Sequence, residues 1–63
     1  MRIRYEVTEV GGRHPDRKLQ ICYDKADAIR FFNIYKHKFN LVIYRIAYDY
    51  HTGSILRKTQ VTA

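Results

Sequence analysis

The chain changes its hydrophobic period twice, from two to 3.6 and back to two, and this switch limits what it can fold into more than any single motif does. Residues 2–10 alternate, with Ile3, Tyr5 and Val7 on one side and Arg2, Arg4, Glu6 and Thr8 on the other. Alternation of β-branched and aromatic residues with charged ones predicts a half-buried strand. Gly11 and Gly12 end it, and Pro15-Asp16 lies in the same loop. Residues 18–23 alternate again, which assigns Leu19, Ile21 and Tyr23 inward and Lys18, Gln20 and Cys22 outward. The first two runs therefore form a hairpin with a long, basic tip.

From residue 25 to 39 the period is helical. Ala28, Phe31, Phe32, Tyr35 and Phe39 fall within an arc of about 100°, with Arg30, Asn33 and His37 opposite. Asp24 suits the N-cap, and Asp27 three residues on is a weaker form of the capping box. Lys36, His37 and Lys38 would sit in a last turn where cations favour the helix dipole, and Asn40 would close the helix in a left-handed conformation. Residues 41–50 carry the strongest strand signal. His51-Thr52-Gly53 predicts a tight turn with Gly53 left-handed, and residues 54–62 return as a fourth strand.

Hairpin, helix, hairpin is a two-layer α+β architecture, ββαββ, with one helix packed on a four-stranded, mainly antiparallel sheet. In this layout the whole chain resembles the small β-grasp minidomains, such as the immunoglobulin-binding domains of bacterial surface proteins. The resemblance is one of element order and carries no motif, so it implies a fold and brings no residue or activity with it. β-grasp order places the third strand at an edge. An all-antiparallel sheet with that apolar strand inside is the alternative.

The core face of residues 41–50 decides where the charges lie. Val42, Tyr44, Ile46, Tyr48 and Tyr50 form one parity, and Leu41, Ile43, Arg45, Ala47 and Asp49 the other. The first parity has no formal charge and is assigned inward. Leu56 would then lie across from Tyr48, and Ile55, Arg57, Thr59 and Val61 would point outward beside Arg45. The reverse parity exposes a row of tyrosines, because a one-residue slip moves every side chain to the opposite face.

Sixty-three residues make a single small domain, 1–63, whose one core must offset nearly all of the chain entropy. One cysteine, Cys22, excludes an intrachain disulfide and argues against a stapled secreted scaffold. No apolar run approaches a membrane span, and residues 1–5 lack the apolar stretch of a signal peptide, so a cytoplasmic location is expected.

Twelve Lys and Arg against six Asp and Glu give a formal charge of +6, a field that attracts polyanions and acidic surfaces. On the inward assignment above, Arg2, Arg4, Lys18, Arg45 and Arg57 share one exposed sheet face, and Arg13 and Arg17 lie with Lys18 in the first hairpin loop. Guanidinium forks bind phosphate bidentately. The expected function is a small basic, non-catalytic binding module that contacts nucleic-acid phosphates, DNA or RNA, through these seven residues. The alternative is a small inhibitor or adaptor of the phage or mobile-element type, docked on an acidic surface of a larger protein. Ile34, ringed by Arg30 and His37 on the polar helix side, and Tyr50 beside the turn are then possible protein contacts. Pairing of an edge strand into a homodimer is a further possibility. His14, His37 and His51 have no metal-ligand spacing, the carboxylates are dispersed, and no cofactor or catalytic residue is expected.

Overall fold

The computed structural model describes residues 1–62. The elements follow in the order β1 (Arg2–Glu9), β2 (Arg17–Cys22), α1 (Lys25–Tyr35), β3 (Leu41–Tyr48) and β4 (Ile55–Val61). One helix packs on a four-stranded antiparallel sheet of order β2-β1-β3-β4. This is the expected α+β ββαββ fold, in its all-antiparallel form. β3 lies inside the sheet beside β1, where its apolar character is used from both sides, rather than at the edge as in β-grasp order.

Asp24 caps the helix as expected, its Oδ1 accepting from the Ala26 N–H at 2.9 Å. The helix ends at Tyr35, one turn earlier than the periodicity predicts. The N–H groups of Lys38 and Phe39 both donate to the Tyr35 carbonyl, at 2.9 and 3.0 Å, so residues 36–39 form turns in place of a basic last helical turn. Asn40 is not left-handed, since no non-glycine residue described has positive φ. Its carbonyl instead accepts from the Val10 N–H at 2.9 Å, which joins the end of β1 to the start of β3. The second hairpin is closed as predicted, with Gly53 at φ +76° and its N–H donating to the Asp49 carbonyl at 2.8 Å.

The core lies between helix and sheet. Val7, Cys22, Ala28, Leu41 and Ile43 are its buried members, with Tyr5, Leu19, Ile29, Phe31, Phe32, Phe39 and Val61 packed against them. Three aromatic rings run along the helix exit, Phe31 to Tyr35 at 4.6 Å and Tyr35 to Phe39 at 6.3 Å between centroids.

Two face assignments are corrected. Cross-strand partners share a face, and β1 pairs Tyr5 with Arg45 and Val7 with Ile43. Leu41, Ile43, Arg45 and Ala47 therefore face the helix side, and Val42, Tyr44, Ile46 and Tyr48 face away from it. A strand of eight residues spans about 27 Å and a helix of eleven only about 16 Å, so the sheet outruns its cover and one charged residue on the covered face can reach water. β2 is also rephased. Thr8 pairs with Lys18 and Val7 with Gln20, which makes Leu19 an extra residue. Beyond this bulge Cys22 enters the core, while Ile21 and Tyr23 are exposed.

Candidate functional site

The sheet face away from the helix has no layer over it. β1 places Arg2, Arg4, Glu6 and Thr8 there, β3 places Val42, Tyr44, Ile46 and Tyr48, β4 adds Lys58 and Gln60, and β2 adds Lys18 and Ile21. Ile46 is 0% exposed although it lies on this open face. Its direct cross-strand neighbours are Arg4 on one side and Lys58 on the other. The Arg4 guanidinium lies over the Tyr48 ring at 4.8 Å and the Lys58 ammonium over the Tyr44 ring at 4.2 Å. Two cation–π pairs thus roof one aliphatic side chain, so the alkyl stems shield apolar surface while the charged heads stay at the water boundary. A third pair extends the row, with Arg2 over the ring of Tyr50 at 4.5 Å.

Electrostatically the face carries Arg2, Arg4, Lys18 and Lys58 against the single carboxylate of Glu6. Glu6 is buried and satisfied, accepting from Arg4 Nε at 2.8 Å, with Lys18 Nζ at 3.9 Å. Arg2 and Lys58 have no carboxylate partner among the described residues, so their charge is free for a ligand.

The structure divides the cations expected on one surface. Arg2, Arg4 and Lys18 do share the open face. Arg45 and Arg57 lie on the helix side, Arg57 across from Ala47. This follows from the reversed β3 parity, which carries β4 with it: Arg45 and Arg57 stay neighbours in phase but on the other surface. Arg17 is committed to Glu9 at 2.8 Å, and His14 Nε2 lies 3.5 Å from the same carboxylate. Arg13 in the loop is exposed. Arg30 pairs with Asp27 at 3.4 Å on the helix surface beside β2, where Ile34 is also exposed, and His37 lies in the turn beyond the helix.

Tyr44 and Tyr48 enter the site as the row that the reverse parity exposes, and Lys58 enters with them across from Ile46. A bulge between Ala47 and Tyr48 on the β3–β4 pair sets Ile55 across from Tyr48 and leaves Leu56 as the extra residue. The readable signal was hydroxyl content. The row Leu41, Ile43, Ala47 has no side-chain hydroxyl to satisfy, whereas the tyrosine row needs its polar tips near water.

Away from the open face, a groove of about 560 Å³ lies between β2 and α1. Ile21, Tyr23, Phe31 and Ile34 line it, with Asp24, Asp27 and Arg30. Cys22 lies at its base, where burial and the two aspartates push the thiol above its usual range. In the second hairpin, N–H groups of Thr52 and His51 hold the Asp49 carboxyl below the usual carboxylate value. Among the described residues no three His, Cys, Asp or Glu side chains gather into a metal-binding group, and no helix is long and apolar enough to cross a membrane.

Comparison with protein-family models, curated proteins and solved structures finds no match to this chain.

Proposed function

We propose that this chain is a non-catalytic module that binds single-stranded nucleic acid across the open sheet face. One observation carries the reading: three cations are held over three tyrosine rings, at 4.2, 4.5 and 4.8 Å, on a face that nothing covers. Arg2, Arg4, Lys18 and Lys58 contact phosphates. Tyr44, Tyr48 and Tyr50 offer ring surface to bases, and guanidinium planes held over rings are themselves stacking platforms. Arg13 on the loop extends the basic track beyond the sheet. A duplex fits this face less well, because its bases are already stacked and the face presents no helix or ribbon to a groove.

The test is fluorescence anisotropy with mixed-sequence single-stranded DNA and RNA and with the corresponding duplex, at physiological salt with heparin as competitor. Single strands should bind more tightly than duplex, with little dependence on sequence. Tyr50→Ala should weaken binding by about 1–3 kcal/mol if a base stacks there. Absence of single-strand binding under these conditions, together with capture of an acidic protein, would replace this reading with electrostatic docking on a protein surface.

A further inference from the structure

The sheet ends in two free edges, β2 and β4, and they differ in a complementary way. β4 carries Ile55 and Leu56, both exposed, then Arg57 and Lys58, and has no acidic residue. The helix packs over β1, β2 and β3 and not over β4, so the helix-side surface of β4, with Arg57 and Thr59, is bare. At the opposite edge, the groove between β2 and α1 brings exposed Ile21, Tyr23 and Ile34 beside Asp24 and Asp27. On a chain of charge +6, this groove is where exposed apolar side chains and carboxylates coincide.

We propose that copies of this chain add head to tail, β4 of one copy pairing with β2 of the next. Strand directions permit it. β1 is antiparallel to both β2 and β3, and β4 is antiparallel to β3, so β4 runs opposite to β2. Simple displacement along the sheet therefore forms an antiparallel pair and keeps both open faces on the same side. Arg57 and Leu56 meet the Asp24 and Asp27 end of the neighbouring groove, and Val61, on the same side of β4 as Arg57, lies towards Ile34. The helix over β2 of the next copy supplies the cover that β4 lacks. Isologous pairing of β4 is disfavoured by charge. A symmetric β4–β4 pair centres Lys58 on its own copy.

Each copy adds four strand spacings, about 19 Å. With a twist of about 20–25° per strand the array turns by roughly 80–100° per copy, so it stays open and helical rather than closing into a dimer. The open faces then form one continuous track. That consequence rests on the nucleic-acid reading above, whereas the association itself does not.

The experiment is analytical ultracentrifugation of the native chain, of Leu56→Lys (β4 blocked) and of Ile34→Lys (groove blocked). The two side chains are 58% and 63% exposed, so the fold should tolerate both changes, and Tyr23→Lys repeats the groove block at a second exposed position. The average mass of the native chain should rise with concentration. Each variant alone should stay monomeric, and a mixture of the two should form a dimer and stop there, because only one good edge of each kind remains. A native chain monomeric at every concentration overturns the proposal. Dimerisation of Ile34→Lys alone shows β4–β4 pairing and overturns it too, as does dimerisation of Leu56→Lys alone through the grooves. On a long oligonucleotide the native chain should bind cooperatively, and Leu56→Lys should lose the cooperativity while keeping its affinity for a short one. If the chain self-associates but binds no nucleic acid, sheet extension stands and the nucleic-acid reading falls.

Discussion

The division of the cations between two sheet faces has a quantitative consequence for salt dependence. Single-strand binding weakens with salt at a slope of about −0.7 in log K per log salt for each phosphate neutralised. The open face holds four cations, Arg2, Arg4, Lys18 and Lys58, of which Arg4 is in contact with Glu6 at 2.8 Å and Lys18 lies 3.9 Å from it. If all four engage phosphates the slope is about −2.8, and a rise from about 50 to 200 mM salt costs about 50-fold in affinity. Replacing the two unpaired cations, in Arg2→Gln/Lys58→Gln, should bring the slope to about −1.4 and the loss to about 7-fold.

The matched control is Arg45→Gln/Arg57→Gln. It removes the same formal charge from the helix side of the sheet, where a screening length of about 10 Å at 0.1 M salt leaves little of the field at the open face. Its slope should equal that of the native chain. Anisotropy titrations of one short single-stranded oligonucleotide at several salt concentrations give all three slopes. Equal flattening by both double variants would refute the reasoning, since the charge would then act through the whole molecule and not through one face. A steeper loss in the control would move the site to the helix side.

Two further outcomes test the architecture. Ile46 is fully buried beneath the cation–π pairs of the open face, so Ile46→Ala should lower stability by about 2–5 kcal/mol in thermal or urea unfolding; an unchanged melting temperature would mean that this roof does not exclude water. The Asp49 carboxyl is held low chiefly by the Thr52 and His51 N–H groups, so the stability it lends the second hairpin is complete above its unfolded value of about 3.9 and is lost as pH falls through the lower folded value. Melting temperatures measured towards acid should fall less for Asp49→Ala than for the native chain, and equal slopes would remove Asp49 from the turn's acid response.

Element order was readable in this chain because each element repeats its own signal. Asp24, the arc from Ala28 to Phe32 and the turn glycine at Gly53 each occupy the role their chemistry predicts. Face assignment was harder, since it depends on register, and register was set by features without a residue signature. The extra residues Leu19 and Leu56 are ordinary strand formers, and nothing in their type marks a bulge. The short helix was equally hard to see, because Lys36 to Phe39 keep helical spacing while their backbone closes in turns.

Formal charge was a misleading guide to the buried parity of β3. A single half-buried arginine on the helix side can bury its stem and keep its charged head at water, but a row of tyrosines under the helix would bring several hydroxyls into a core that has few partners for them. The aromatic types divide on this principle. Phe31, Phe32 and Phe39 pack against the core, whereas Tyr44 and Tyr48 lie on the open face and Tyr50 beside it. Tyr5 is the exception, half-buried on the helix side across from Arg45 and packed against the core. The same preference that keeps hydroxyls at the water boundary also leaves their rings under Arg2, Arg4 and Lys58. The basic, aromatic character of the candidate site thus follows from how the core excludes polar atoms, and Ile46 beneath it links binding to stability: a change that loosens the roof should weaken both.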